Sequence, residues 1–319
     1  MKKLKNIPSI VVWAIVLVIG VALNFILPGT VVNMYSKMLI MVLFALSLNL
    51  QIGYAGMMPL GHSALFGVGA YVYTLMVRAD INMPVAVLCA IVGSAVMGLI
   101  IGYLCLRGKN GMTFAFLNMG IATLLYTIAI QTTALGRDVG LSGAKRPAFA
   151  NSTVAFGVLV SAIVIVLVYV IYVLCHSPFA SCVTALRDNE ERMRFIGINT
   201  HDFQLVIYVI SSTIAGIAGI LYAMFNSGAY PTFINTGIAT QAMMMCLIGG
   251  MDTFFGPILG AGIVTLIITE VSNFTNYWQA VLGVIIVACV LFFRGGILGT
   301  KTLNARKKAQ MKKEAEAHE

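Results

Sequence analysis

The side chains of this chain that could do chemistry are concentrated in one polar segment, residues 177–199. Ser177 can cap a helix whose first turn begins with Pro178. From Phe179 onwards, apolar residues at i, i+4 and i+7 would form one stripe along that helix. The segment is therefore expected to begin with a short amphipathic helix.

The second half of the segment predicts another short helix after a bend. Asp188 offers a second cap, Glu191 three positions later completes an arrangement like a capping box, and Gly197 can end the helix in the left-handed conformation. The charged side chains expected to be exposed are Arg187, Glu190, Arg192 and Arg194. Such a helix pair could dock into a groove of a soluble partner, or it could lie on a lipid surface.

The rest of the composition is that of a membrane protein. Of the 319 residues, 60% are hydrophobic and 10% are charged, so polar groups are too few to cover a water-exposed surface of this size. Apolar runs of roughly 18 to 25 residues recur, each long enough to cross a hydrocarbon core of ~30 Å as a helix. Because lipid offers the backbone no hydrogen-bond partner, these runs must be helical. The predicted fold class is an all-α polytopic integral membrane protein.

Eight to ten transmembrane helices are predicted, because two of the apolar runs are weak. The runs are 10–28, 34–52, 62–77, 84–106, 112–133, 154–175, 203–225, 238–250, 254–274 and 278–293. Run 62–77 follows a Gly/Pro-rich break and run 238–250 is short, so both could be half-helices or re-entrant pieces. The transmembrane domain would span residues 1–300, with a loop at 176–202, and residues 301–319 would form a disordered charged tail.

A second unusual segment, residues 48–71, interrupts the apolar pattern with glycines, a proline and amides. Broken backbone at membrane depth is tolerated where protein or a water-filled cavity satisfies it, which makes this segment a candidate for lining a translocation pathway. The candidate residues are Asn49, Gly53, Gly56, Pro59, His62, Gly67 and Gly69. Alternatively, Gly67 and Gly69 only allow helices to approach closely, and Asn49 or His62 satisfies freed backbone groups. A fainter glycine-rich echo at 248–262 is compatible with an internal repeat.

The residue inventory argues against catalysis. Most carboxylates lie in predicted loops or near chain ends, and the four histidines are dispersed, so no catalytic, metal or cofactor site is predicted. No ionisable residue is predicted in the middle of a span, which disfavours proton or sodium coupling. The run 295–302 has the wrong spacing for a phosphate loop and follows a membrane helix, so ATP hydrolysis would have to lie on a separate subunit.

The distribution of positive charge predicts the orientation. With ten spans and a cytoplasmic N-terminus, fifteen of the 20 Lys and Arg residues lie inside, which places both termini in the cytoplasm. The five outside are Lys37, Arg78, Arg137, Lys145 and Arg146. The net charge of +9 is thus a topology signal and an attraction to anionic membrane lipid, and nothing indicates nucleic acid binding.

Several of these motifs together resemble the permease subunits of branched-chain amino acid ABC importers, of the LivM type. The matching runs, in the family's order, are 45–50, 53–56, 60–71, 106–108, 177–179, 187–190, 197–199, 215–219, 249–250, 256–261, 293–294 and 296–299. The resemblance covers about residues 40 to 299. Each run alone is weak, and their order makes the match specific.

The resemblance implies a heteromeric importer in the bacterial inner membrane. Its parts would be this chain, a second, LivH-like permease, two cytoplasmic ATP-binding subunits and an extracytoplasmic substrate-binding protein. Segment 177–199 would then be the coupling element that seats in an ATPase subunit. The residues carried over to that role are Ser177, Pro178, Phe179, Arg187, Asp188, Asn189, Glu190 and Gly197.

Two questions stay open at the level of sequence. An outer motif that in the family commonly reads Thr-Gly-Gly-x-x-Gly-Leu is replaced by residues 135–141, so the substrate could be a branched-chain amino acid, another amino acid, urea or an amide. The competing class is a stand-alone channel or secondary carrier for a small polar solute. Transport by this chain alone, without ATP, would distinguish that class.

Overall fold

The structure is a computed structural model that describes residues 9–108 and 111–274, together with residues 280, 283–284 and 296–298. Eleven helices lie in the two long ranges: α1 (Ser9–Ile26), α2 (Gly29–Asn49), α3 (Ser63–Arg78), α4 (Met83–Leu106), α5 (Gly111–Gln131), α6 (Thr153–Cys175), α7 (Pro178–Asp188), α8 (Glu190–Phe195), α9 (Thr200–Asn226), α10 (Thr236–Gly249) and α11 (Gly256–Phe274). A π-helical turn, Leu50–Tyr54, continues α2. Within these ranges, six helical stretches are long and apolar enough to cross a membrane, and two shorter apolar ones accompany them. The predicted all-α polytopic fold is confirmed.

The predicted runs match the helices to within a few residues, and both weak runs are short helices. Run 62–77 is α3, which has 16 residues, and run 238–250 is α10, which has 14 and follows a 3-10 turn at Pro231–Phe233. Both are short because glycine- and proline-containing loops precede them. The last predicted run, 278–293, the phosphate-loop lookalike and the tail 301–319 lie wholly or largely outside the described residues.

The charge count placed Lys37 on the outer side of the membrane, although the residue falls within the apolar run 34–52. In the structure Lys37 lies in the third turn of α2 and is half-buried. Helix α2 begins at Gly29, five residues earlier than the apolar run. Pro28 directly precedes Gly29 and is itself in an extended conformation, so the helix starts after it. A lysine this close to a helix end can extend its side chain towards the membrane surface.

The centre of the bundle is formed by α3, which packs against α4 and against the long helix α9. Glycines set these contacts: a Cβ at Gly69 would overlap the backbone at Gly216, and a Cβ at Gly98 or Gly102 would meet Ser212 or Tyr208 of α9. Gly98 and Gly102, spaced as G-x-x-x-G, therefore form a face of α4 that packs against α9.

Helices α10 and α11 form a second close pair. A Cβ at Gly249 would overlap the carbonyl group of Gly256, and one at Gly260 would overlap the carbonyl of Met245. Gly256 and Gly260, also spaced as G-x-x-x-G, thus form a face of α11 that lies against α10. Helix α11 also packs against α2, α6 covers α2 elsewhere, and α1 packs on α6.

A short antiparallel strand pair closes one end of the bundle. Strand β1 (Leu141–Ser142) pairs with β2 (Gly228–Ala229), which follows α9. Arg146 donates to the carbonyls of Met224 and Phe225 at 3.1 and 3.0 Å, and so satisfies free acceptors in the last turn of α9. The polar segment lies at the other end of the bundle, since α6 runs from one to the other.

Candidate coupling and translocation site

The polar segment forms the predicted pair of helices, α7 and α8. The Ser177 hydroxyl accepts a hydrogen bond from the backbone N–H of Ala180 at 3.3 Å, and Pro178 occupies the first turn, where no N–H partner is needed. Gly197 has φ +83° and ends the pair in the left-handed conformation. The predicted first cap and the glycine stop are confirmed.

The predicted second cap is shifted by one residue. Asp188 is the last residue of α7, and the side chain that caps α8 is that of Asn189, which accepts from the N–H of Arg192 at 2.9 Å. Asn189 is extended, with φ −160°, and so makes the bend between the two helices. Without Asp188 at the cap, Glu191 completes no capping box. Asparagine and aspartate are equally good caps, so the sequence alone could not choose.

The predicted apolar stripe of α7 is used inside the chain. Val183 and Leu186 are buried, at 1% and 3% exposure. The ring of Phe179 stacks on Phe203 in the first turns of α9, with centroids 5.5 Å apart and planes 17° from parallel. The stripe therefore fixes α7 to the bundle and is not a free surface for a partner.

The exposed apolar surface of this element lies at the end of α8. Phe195 is 91% exposed and Ile196 is 66% exposed, next to Gly197. A Cβ at Gly197 would meet no atom within 4 Å, so the tip is open on that side as well. Sequence reasoning missed these two residues, although two large apolar side chains before a helix-ending glycine, in a charged segment, are a recognisable signal.

The charged residues of the element also make contacts that the sequence did not predict. The carboxylate of Glu190 forms an ion pair with the guanidinium of Arg194 at 2.5 Å. It also accepts a hydrogen bond from the Thr200 hydroxyl at 3.3 Å, and this bond connects α8 to the start of α9. Arg187, expected to be exposed, is only 31% exposed at its side chain. Its guanidinium donates to the backbone carbonyl of Gly53 and, at 3.1 Å, to the carboxylate of Asp252.

The two unusual segments of the sequence therefore meet, and the echo segment joins them. Gly53 and Gly56 belong to the broken end of α2, Arg187 to α7 and Asp252 to the turn between α10 and α11. Gly56 has φ +69°, and a Cβ there would overlap Cγ of Arg187. A Cβ on Gly53 would overlap the carbonyl oxygen of Met251. Both glycines are needed for this close approach.

The broken end of α2 carries a buried polar cluster. The Nε2 atom of His62 lies 2.9 Å from the Ser47 hydroxyl, which itself donates to the carbonyl of Phe44, so Nε2 is the donor in this pair. Nδ1 then accepts from the amide of Gln51 at 3.4 Å. The same amide donates to Ser211 of α9 at 2.9 Å. The cluster binds the break to α9, with His62 as a neutral imidazole.

The predicted pathway residues occupy two kinds of position. Asn49, Gly53, Pro59, His62, Gly67 and Gly69 are buried within this chain, whereas Gly56 is exposed. The Cβ positions of Gly67 and Gly69 would overlap Ile234 and the backbone of Gly216 respectively, in line with the close-packing alternative. The role of the segment in lining a pathway stays a prediction. Among the described residues, no three His, Cys, Asp or Glu side chains converge to hold a metal ion.

Helix α5 presents an unusual exposed face. It is the least buried of the six membrane-length stretches found in the described ranges, yet it is less hydrophobic than α4 and α6. Gly120, Thr123 and Thr127 are exposed on it, and no atom lies within 4 Å of a Cβ placed on Gly120.

The inner face of α5 contacts the broken segment. The side-chain oxygen of Asn118 accepts a hydrogen bond from the N–H of Gly61 at 2.6 Å and so attaches that segment to α5.

Comparison with known proteins decides the family. A family model described as branched-chain amino acid transport system, permease component, matches residues 30–290. The chain belongs to this family. The resemblance to LivM-type permeases is thus confirmed, and the chain is a multi-pass membrane permease subunit of the ABC type.

Individual relatives fall into two groups. The chain is 25% identical to the high-affinity branched-chain amino acid transport system permease protein LivM of Salmonella typhimurium, over 88% of this chain and 73% of the relative. LivM of Escherichia coli K12 is 24% identical over the same shares. The autoinducer 2 import system permease protein LsrC of E. coli O157:H7 is 24% identical over 91% and 89%. No solved structure matches the chain.

Proposed function

We propose that this chain is one of two dissimilar permease subunits of an ATP-driven importer for branched-chain or related amino acids. Family membership and the LivM relatives support the permease role. The observation that carries the mechanism is the surface of α8, where Phe195 and Ile196 project from an element otherwise fixed to the bundle. ATP hydrolysis on separate subunits would act on the permease through this surface.

An ATP-binding subunit suits this surface better than lipid does. Phe195 and Ile196 are flanked by Arg192, Arg194 and Glu191, which include both signs of charge. An interfacial lipid-binding helix has a long apolar face and a basic polar face, whereas α8 has six residues. Two adjacent apolar anchors in a ring of mixed charge are typical of a protein-docking site.

The same end of the bundle is proposed to be cytoplasmic. Arg107 at the end of α4 donates to Tyr103, whose ring lies 6.2 Å from that of His201 at the start of α9. The arginines of α7 and α8 and Arg107 therefore share one membrane face. Such a concentration of arginine is characteristic of the cytoplasmic side.

The second permease is proposed to pack against the exposed face of α5. A lipid-facing helix gains from being fully apolar, whereas helix contacts within membranes use small and hydroxyl side chains such as Gly120, Thr123 and Thr127. The pathway would then run between the two permeases. On this side of the chain it would pass α5 and the exposed part of the broken segment at Gly56 and Met58.

The substrate is the least constrained part of the proposal. The names of the relatives include both branched-chain amino acid transport and autoinducer 2 import. Branched-chain amino acids are favoured because the family description and the LivM relatives agree on them. An extracytoplasmic binding protein would select the substrate, since the side chains of the buried cluster at the end of α2 already bind one another and the neighbouring helix α9.

Reconstitution tests the proposal against a channel or secondary carrier. The chain is placed in proteoliposomes alone, and then with the permease, ATPase and binding-protein products of the neighbouring genes. Uptake of radiolabelled leucine is expected only in the complete mixture with ATP. Leucine uptake by the chain alone, without ATP, would show instead that it is a channel or carrier.

A further inference from the structure

Arg187 joins three segments that are far apart in the sequence. It lies in the last turn of α7, its guanidinium binds the Gly53 carbonyl at the broken end of α2, and Asp252 belongs to the turn between α10 and α11. The Cγ and Cδ atoms of Arg187 lie against Gly56. No other side chain in the described ranges has hydrogen bonds that join these three segments.

The Gly53 carbonyl is an acceptor that this position must satisfy. It lies in the π-helical turn Leu50–Tyr54, and the N–H of Met57, four residues later, donates to the carbonyl of Gln51 instead. The last carbonyls of a helix have no partner within the helix, and a cation near that end also interacts favourably with the helix dipole. The guanidinium of Arg187 meets both demands, since its Nη1 atom donates to this carbonyl and to the carboxylate of Asp252.

The ion pair alone is a weak reason for this arrangement. The Asp252 side chain is 61% exposed, and exposed pairs of this kind contribute about 0–1 kcal/mol. The contacts of Arg187 matter instead because they connect separate segments of the chain. The Gly53 Cα already lies against the Met251 carbonyl, so the end of α2 and the α10–α11 turn form one contact. Arg187 attaches α7 to both sides of that contact.

We infer that Arg187 is a positioning residue that transmits displacement of α7 to the broken end of α2 and to the α10–α11 turn. It does so from inside the permease, and the ATPase would instead contact Phe195 and Ile196. The inference rests on the proposed function and adds the route by which movement of α7 reaches the membrane helices. It predicts that docking and coupling can be separated by mutation.

The first experiment compares Arg187→Cys with Phe195→Asp in the complete reconstituted importer. Arg187→Cys is expected to retain the ATPase subunits on purification. The number of leucine molecules transported per ATP hydrolysed should fall roughly tenfold, which is within the range that typical coupling free energies produce. Phe195→Asp is expected to lose the ATPase subunits. If Arg187→Cys lost them equally, Arg187 would be a docking residue, and the inference would be wrong while the importer role stood.

The second experiment replaces the attachment by a covalent bond. A Cβ placed on Gly56 would lie 3.4 Å from the Cβ of Arg187, close to the ~3.5–4.5 Å usual for a disulfide. In the variant Gly56→Cys with Arg187→Cys, oxidation is expected to restore leucine moved per ATP above that of Arg187→Cys, and a reducing thiol should abolish the recovery. The single variant Arg187→Cys, oxidised in the same way, is the control and should show no recovery. A cross-linked complex that stays as poorly coupled as its reduced form would overturn the inference.

Discussion

Replacing Phe195 and Ile196 together by alanine should weaken binding of the ATPase subunits without unfolding the permease. Burying such a side chain fully stabilises a complex by about 1.5–3 kcal/mol. At 91% and 66% exposure, nearly all of Phe195 and two thirds of Ile196 remain to be buried by a partner. Alanine retains the Cβ, so the expected total loss is about 2–4 kcal/mol, or about 30-fold to about 1000-fold in Kd.

The assay is titration of fluorescent ATPase subunit onto the permease pair in lipid nanodiscs, with Kd read from anisotropy. Phe149→Ala is the matched control, because Phe149 is 77% exposed and precedes α6, at the opposite end of the bundle from α8. The control should leave Kd unchanged. If the double variant bound the ATPase with the native Kd, α8 would not be the docking surface, and its apolar tip would be assigned to lipid.

Three further predictions concern the membrane part. Asn118→Ala removes two hydrogen bonds, to Gly61 and Tyr208. At about 0.6–1.7 kcal/mol for each interhelical hydrogen bond, the free energy of unfolding should fall by about 1–3 kcal/mol. An unchanged melting temperature in detergent would contradict this prediction. Gly67→Leu should destabilise the fold, because the leucine side chain would clash with Ile234. If Gly67 only lines a pathway, the variant should instead show normal yield and a normal melting temperature. A cysteine at Thr123 should cross-link to the second permease in membranes, and exclusive labelling by a lipid-phase reagent would argue for a lipid-facing α5.

The elements of the fold could be predicted because lipid imposes a strong constraint. Each apolar run had to be a helix. Among the runs that the structure describes, the errors were in ends such as that of α2, where Pro28 and not hydropathy sets the start. The π-helical turn at Leu50–Tyr54 was foreseen only as a break, since glycine and proline mark an interruption without specifying its geometry.

The candidate site was predictable in its residues and less so in their contacts. Ser177 and Gly197 act locally, within one turn of their own helix, so their roles could be read from spacing. Arg187 and Phe179 act at long range. Their partners, Gly53 and Phe203, lie in other elements, and spacing along the chain gives no information about them.

The sequence by itself determined a polytopic helical membrane protein, the positions of the helices in the described ranges and a polar helix pair capped by Ser177, because these depend on local hydrophobicity and backbone chemistry. Only the tertiary structure decided which side of that element is free. Val183 and Leu186 are buried against the bundle, whereas Phe195 and Ile196 remain exposed. All four residues are apolar, so hydrophobicity does not distinguish them. Their exposure differs because the helices of the bundle, which glycine contacts elsewhere in the chain bring together, cover the apolar side of α7 and leave the end of α8 uncovered.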